Sequence, residues 1–134
     1  MSDIVTYDTF EPGKTMGEAV LLLDDSHARS WQRIFGDTTS SGANDAAEAA
    51  GLVVAMMMRA YLAVVTPRPP GNVHARQRFG LHALPRRGEA VRTVIRCDGK
   101  EIKRERRYVE LLAQGTGEDG RAIYEGRLSL IWAA

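Results

Sequence analysis

Residues 35–51, FGDTTSSGANDAAEAAG, lead directly into the apolar run of residues 52–65, LVVAMMMRAYLAVV. Apolar side chains occur on every side of the helix that this run predicts, and a helix of that kind is buried. Asn44 and Asp45 are candidate N-caps before it, and the stretch PRPPG that follows ends it. A polar turn followed by one long buried helix is therefore the feature from which the fold is predicted.

The segments before this helix are short. Residues 18–23, EAVLLL, have the length and composition of a strand. Residues 26–35 carry apolar side chains at helical spacing and follow capping side chains, and Gly36 is a typical residue just past a helix end. Residues 1–14 contain Pro12-Gly13 and are predicted to be a lead-in arm outside the core.

After the helix, apolar residues recur at every second position. Residues 91–97 alternate apolar and polar side chains, as a half-buried strand does, and the following Asp98-Gly99 is a hairpin signal. Further strands are predicted at residues 74–84, 106–114 and 122–132. One long helix followed by four antiparallel strands predicts a single α+β domain of residues 1–134, with the sheet wrapped around the helix. Because one sheet leaves part of such a helix bare, we expect a second subunit to cover it.

Composition excludes several classes of function. The chain of 134 residues has a formal net charge of +1, which argues against a dedicated nucleic-acid binder. One cysteine, Cys97, fits a reducing compartment, and neither a secretory signal nor an apolar run of membrane-spanning length is visible. We therefore expect a cytoplasmic protein. The sequence shows no metal-ligand spacing and no phosphate-binding glycine loop, so no metal and no cofactor is predicted.

In their order and spacing these segments resemble the MaoC-like (R)-specific enoyl-CoA hydratases and dehydratases, whose signature is G-D-x-N-P-x-H-x-D. Gly36-Asp37 matches its first two positions, whereas Gly42 stands where the family has its histidine and Asn44 stands at the final aspartate. Val54-Ala55-Met56 resembles the His-Gly-Met at the head of the family's central helix. Further landmarks are Phe10-Glu11-Pro12-Gly13, Pro70-Gly71, Gln77-Arg78-Phe79 and Pro85-Arg86-Arg87-Gly88-Glu89. The resemblance implies the hotdog fold, a dimer, and residues 1–134 as one MaoC-like hotdog domain.

The resemblance also implies a chemistry. In the family, the aspartate and histidine together add water to the β-carbon of a trans-2-enoyl thioester, on CoA or on a carrier protein. Asp37 is then the catalytic carboxylate, Gly36, Gly42 and Asn44 contact the substrate, and an amide near Ala55 or Met56 stabilises the thioester oxygen. Because Gly42 supplies no imidazole, the resemblance predicts an impaired or altered catalyst.

Two other functions fit the same sequence. The chain could be a non-catalytic hotdog subunit that binds an acyl thioester or scaffolds an active partner in a hetero-oligomer. Gly42 fits this function, because a subunit that has lost catalysis and pairs with an active one would lack the histidine. It could also be an acyl-CoA thioesterase that uses Asp37 or Glu48. The expected partner is accordingly an identical hotdog chain or a different one.

The remaining candidates each have an ordinary structural explanation. Asn44 is more commonly a helix cap, and Glu48 is favoured near a helix N-terminus in any case. The Met56-Met57-Met58 triplet is predicted to be core rather than a pocket lining. Arg59 suggests a paired or interface position, Cys97 a small buried hydrophobe, and the basic cluster at residues 103–107 a solvated strand edge rather than a phosphate site. Histidines that could replace the missing imidazole are His27, His74 and His82.

Overall fold

The computed structural model describes residues 4–22, 42–83, 85 and 89–134. In chain order its elements are β1 (Thr15–Leu22), α1 (Gly42–Val64), β2 (Val73–Leu81), β3 (Ala90–Lys103), β4 (Arg106–Thr116) and β5 (Ala122–Trp132). Short 3-10 helices lie at Tyr7–Thr9 and Glu118–Gly120. The predicted helix of residues 26–35 falls outside the described residues. The predicted strands and the long helix are confirmed.

The five strands form one antiparallel sheet in the order β1-β3-β4-β5-β2. The alternation in β3 places one set of side chains against the helix: Val91, Thr93, Ile95 and Cys97 are all buried. The prediction of a half-buried strand is therefore confirmed, and so is the burial of Cys97. Burial raises the pKa of the Cys97 thiol, which keeps it protonated and unreactive.

The predicted hairpin at Asp98-Gly99 is wrong. β3 continues to Lys103, with a register shift against β4 between Cys97 and Gly99. The chain reverses instead at Arg104 and Glu105, whose φ angles of 53° and 65° are both positive, as the tight hairpin turn requires. The local Asp-Gly signal thus marks a bulge, and the basic cluster of residues 103–107 forms the hairpin tip.

Helix α1 crosses the inner face of the sheet from one side to the other. Met57 packs against Gly126 in β5, and Val64 packs against Gly17 in β1. Met56 and Met57 are buried, which confirms that the methionines are mainly core. In the single chain one stripe of the helix is bare, as expected for a helix that is covered by one sheet. Ala55 and Arg59 are exposed, and Leu62 is 46% exposed, at the helical spacing of one stripe.

The N-terminal arm belongs to the core, contrary to prediction. Phe10 is fully buried and meets the Trp132 ring edge-on, with 4.9 Å between centroids. The indole N–H of Trp132 donates a hydrogen bond of 2.7 Å to the carbonyl of Val5. The arm therefore closes the end of the core where β5 finishes.

Gly115 is a position where we expect a large loss of stability on substitution. A Cβ at Gly115 would overlap the ring of Tyr124 on the neighbouring strand. Gly115→Ala should therefore lower the free energy of unfolding by about 2 to 3 kcal/mol, as overpacked cores do. Urea unfolding measures it. Gly99→Ala is the matched control because nothing lies within 4 Å of the position that its new methyl group would take, and equal losses in both variants would contradict the packing described.

Candidate active site

Gly36 and Asp37 fall within residues 23–41, outside the described residues, so their predicted roles stay predictions. The chain leaves the sheet at Leu22, which pairs with Ala90, and re-enters the described structure at Gly42. In chain order the segment is thus preceded by β1, whose end pairs with the start of β3, and is followed by α1.

The head of the central helix is not where the resemblance placed it. Helix α1 begins at Gly42, so Gly42 and Asn44 lie in its first turn and Asn44 does not precede it as a cap. Ala55 and Met56 lie more than three turns further on, where a backbone N–H is bonded within the helix. Their amides therefore cannot face a ligand oxygen. The unbonded amides and the partial positive charge lie at the Gly42 end.

Ala55 and Met56 differ in what they can contact. Met56 is buried and faces the core, whereas Ala55 is exposed on the stripe that it shares with Leu62. A substrate could meet Met56 inside the core and Ala55 only from outside the chain. Glu48 lies in the second turn of α1.

Two hydroxyl groups meet on the inner face of the sheet, where Thr93 pairs with Ala19 in the middle of β1. Thr93 Oγ1 and the Tyr124 hydroxyl are 2.5 Å apart, and both residues are 1% exposed. Thr93 and Tyr124 both pair with Gly115, so they flank it in one row across the sheet. The Phe79 ring stacks on Tyr124 with 5.7 Å between centroids. This pair of hydroxyl groups lies among side chains that are otherwise apolar.

One hydroxyl proton of the Thr93–Tyr124 pair takes no part in the hydrogen bond between the two groups. Two hydroxyl groups carry two protons, and one of them forms the bond between the pair. Within the part of the chain that the structure describes, the other proton has no acceptor. A buried donor without an acceptor is costly, and a ligand oxygen within hydrogen-bond distance would satisfy it. The sequence contained one hint of this, because Thr93 is the one hydroxyl among the inward side chains of β3.

Tyr124 also predicts how stability depends on pH. Burial raises the pKa of Tyr124 to about 12, against an ordinary value of 10.0, and the bond to Thr93 offsets part of that rise. The protonated form is thus favoured in the folded state. Its contribution of about 2 to 3 kcal/mol is fully present below about pH 10 and is lost as the pH rises towards 12.

Urea unfolding between about pH 9 and pH 12 checks this, because the change in stability lies between the ordinary pKa of 10.0 and the raised value of about 12. The free energy of unfolding should fall with pH more steeply in the wild type than in Tyr124→Phe. Equal slopes in the two proteins would contradict the assignment.

Glu89 is a buried carboxylate that sequence reasoning did not single out, beyond its place in the last landmark. Its side chain is 1% exposed and forms an ion pair with Arg121. Its Oε2 also accepts a hydrogen bond of 2.9 Å from the backbone N–H of Glu118. Gly117 leaves room for this carboxylate, because a Cβ there would overlap it. Glu89 thus fixes the turn that leads into β5, and this role explains its burial.

The described histidines do not form one site. His74 and His82 are exposed and lie at opposite ends of β2, about 25 Å apart at strand spacing. His82 contributes its backbone N–H, which donates a hydrogen bond of 2.7 Å to the carbonyl of Ile123. His27 lies outside the described residues. Among the residues that are described, no three His, Cys, Asp or Glu side chains converge as a metal site would need. None of the described helices is both long and apolar enough to cross a membrane.

Comparison with known proteins identifies the fold. The sequence matches no protein-family model and no curated protein. Solved structures do match. The (R)-hydratase PhaJ1 from Pseudomonas aeruginosa, in its unliganded form, has a TM-score of 0.75 at 16% identity, over 96% of this chain and 86% of that one. The MaoC-like dehydratase from Rhodospirillum rubrum has a TM-score of 0.72 at 11% identity, over 97% and 98%.

A third similar structure is a complex. The HadBC (3R-hydroxyacyl-ACP dehydratase) complex from Mycobacterium tuberculosis matches with a TM-score of 0.68 at 16% identity, over 90% of this chain and 96% of that one. At such identities the likeness establishes the fold. The predicted hotdog fold is confirmed, with one long helix on a five-stranded antiparallel sheet in the described part of the chain, and the resemblance to MaoC-like proteins holds at the level of fold.

Proposed function

We propose that this chain is a MaoC-like hydratase or dehydratase that acts on an acyl thioester carried by CoA or by a carrier protein. The observation that carries the proposal is a fold match over nearly the whole length of (R)-hydratases and MaoC-like dehydratases. The pair Gly36-Asp37 supports it, since this pair precedes the central helix as the family's signature does.

In the proposed reaction Asp37 acts as the base. Its carboxylate takes a proton from a water molecule as the water oxygen bonds to the β-carbon of the trans-2-enoyl thioester. The electron pair of the double bond moves towards the thioester carbonyl, and the α-carbon then receives the proton that Asp37 took from the water, which returns Asp37 to its carboxylate form. The first-turn amides of α1, at Gly42 and Asn44, face the developing negative charge on the thioester oxygen. Dehydration is the same path reversed.

In the proposal the inner face of the sheet forms one wall of the site. Around the site this face is apolar except for the two hydroxyl groups of Thr93 and Tyr124. Phe79, which is only partly buried, offers surface for an acyl chain, and the Thr93–Tyr124 pair offers its second proton to an oxygen of the substrate. Because Gly42 leaves the site without its imidazole, proton transfer relies on Asp37 alone. Such a loss costs roughly 10²–10⁴-fold in rate, so the proposed activity is slow.

The second candidate is a non-catalytic hotdog subunit that binds the thioester or supports an active partner. The observation that favours it is Gly42 in place of the histidine. The exposed stripe of α1, with Leu62 46% exposed, suits a further subunit in either case. We propose a dimer with an identical or a different hotdog chain, and the similar HadBC structure is a complex.

One assay separates these functions. The purified chain is mixed with a short trans-2-enoyl-CoA, and both the conjugated-thioester absorbance and free thiol are followed. Loss of absorbance without free thiol supports the hydratase. Release of thiol identifies a thioesterase and contradicts the hydratase. If neither signal changes but the thioester raises the melting temperature, the binding subunit is favoured.

A further inference from the structure

A cavity of about 340 Å³ lies beside the end of α1, where the helix, the loop that follows it and the start of β2 meet. Its walls include Tyr61 of α1 and Arg68 of the loop. That volume suits a small molecule. The proposed reaction does not use this cavity, because Tyr61 lies 19 residues beyond Gly42 along α1, which is about 28 Å at the helical rise.

Tyr61 supplies a hydroxyl group at this cavity. The side chain is 5% exposed, and burial raises the pKa of its hydroxyl, although the positive charge of Arg68 offsets part of the rise. Within the described residues the hydroxyl has no hydrogen-bond partner. The fully covered polar atoms that lack a partner there are Asn72 Nδ2 and Arg96 Nε, so the Tyr61 hydroxyl is not sealed off. It is therefore a largely buried donor that opens towards the cavity that Tyr61 lines.

Arg68 offers two more donors to the same space. Its Nη1 donates hydrogen bonds of 2.9 Å to the carbonyl of Leu62 and 2.7 Å to the carbonyl of Val65, so the guanidinium covers the partially negative end of α1. The group lies over the Tyr61 ring, with 5.9 Å from Cζ to the ring centroid. The edge formed by Nε and Nη2 has no partner within the described residues. Such an edge matches the two oxygens of a carboxylate.

The remaining walls decide the class of ligand. Met58, Val73 and Leu130 are apolar, and none of the described lining residues is acidic. Asn72 contributes a further buried donor, because its Oδ1 accepts a hydrogen bond of 2.7 Å from the backbone N–H of Ala133 while its Nδ2 has no acceptor in the described structure. Donors around one guanidinium, next to apolar surface, suit a single negative charge on a hydrocarbon chain.

We propose that this cavity binds a small aliphatic monocarboxylate, whose carboxylate lies against the Arg68 edge and the Tyr61 hydroxyl. The hydrocarbon chain packs on the apolar walls. The inference goes beyond the proposed function, since the ligand is a free acid and the thioester site lies at the other end of α1. A neutral molecule of the same length leaves the guanidinium edge unpaired and binds more weakly.

The first test varies the charge of the ligand. The probe is hexanoate, hexanamide is its neutral counterpart, and binding to the purified chain is followed by NMR titration. The dissociation constant of hexanoate should be on the order of 1 mM, as expected for so few atoms. Hexanamide should bind roughly tenfold more weakly, since hydrogen bonds to a charged group are the stronger ones. Equal affinities, or no saturable binding of hexanoate below about 50 mM, would overturn the proposal.

The second test removes one donor from the protein. Tyr61→Phe keeps the ring beneath Arg68 but should weaken hexanoate binding roughly tenfold. Its melting temperature should not fall, because the hydroxyl has no partner in the described structure. Tyr108→Phe, a half-buried tyrosine on β4, is the matched control and should change neither quantity. Arg68 is left in place because its bonds also hold the end of α1.

Two results of the second test would contradict the proposal. One is wild-type affinity for hexanoate in Tyr61→Phe. The other is a loss of binding accompanied by a lower melting temperature, which would give the hydroxyl a structural role. Since the readout is the binding of a free acid, either result leaves the proposed thioester chemistry untouched.

Discussion

Asp37→Asn should reduce enoyl-CoA hydration by roughly 10²–10⁴-fold, the usual cost of losing a general base. The amide has nearly the same shape as the carboxylate but cannot accept the proton of the attacking water. Because the proposed site has no histidine at position 42, no other group of the signature can take over. The rate is measured by loss of the conjugated-thioester absorbance at saturating substrate.

The matched control is Asp8→Asn, an exposed aspartate in the first 3-10 helix. It removes the same charge at a distance from the proposed site and should leave the rate unchanged. The melting temperatures of both variants should stay close to that of the wild type, because Asp8 is exposed and Asp37→Asn keeps the size of the side chain. A wild-type rate in Asp37→Asn would remove the carboxylate from the mechanism.

Gly42→His should raise the hydration rate by roughly 10²–10⁴-fold, the converse of the loss that Gly42 imposes. The substitution restores an imidazole at the signature spacing of five residues after Asp37. It also stands in the first turn of α1, next to the amides proposed to face the thioester oxygen. The gain is expected in the rate at saturating substrate.

Gly42→Ala separates chemistry from helix stability. Replacing glycine by alanine stabilises the helix by about 0.5 to 1 kcal/mol, because alanine loses less backbone entropy on folding. Alanine supplies no proton-transfer group. It should leave the rate near that of the wild type. The double variant Asp37→Asn/Gly42→His should lose the gain, because the two groups act together. If Gly42→His gains nothing while Asp37→Asn still loses activity, this chain uses the carboxylate in another arrangement.

The hydrophobic pattern was sufficient to predict the fold. The change of period after residue 65 separates helix from strands, and the alternation in β3 identified the side chains that face α1. The hairpin was misplaced because Asp98-Gly99 is a stronger local turn signal than Arg104-Glu105, although the cross-strand register decides the turn. The arm was misjudged because Phe10 is buried by Trp132, which lies at the opposite end of the chain.

The site was less predictable, for a physical reason. Thr93 and Tyr124 are 31 residues apart and meet only through the register of three strands. Neither residue alone predicts that one hydroxyl proton of the pair lacks an acceptor. The resemblance puts Val54-Ala55-Met56 at the helix head, whereas the alanine-rich residues before them continue the helix back to Gly42, close to the caps that the pattern predicts at Asn44 and Asp45.

The central claim is that Asp37 faces an acyl thioester beside the head of α1. A crystal structure with a stable analogue of a trans-2-enoyl-CoA tests it most directly. The account predicts the Asp37 carboxylate about 2.6–3.2 Å from a water molecule held against the β-carbon, with the thioester oxygen towards the amides at Gly42. An analogue bound elsewhere, with Asp37 on the outer surface and remote from it, would contradict the account.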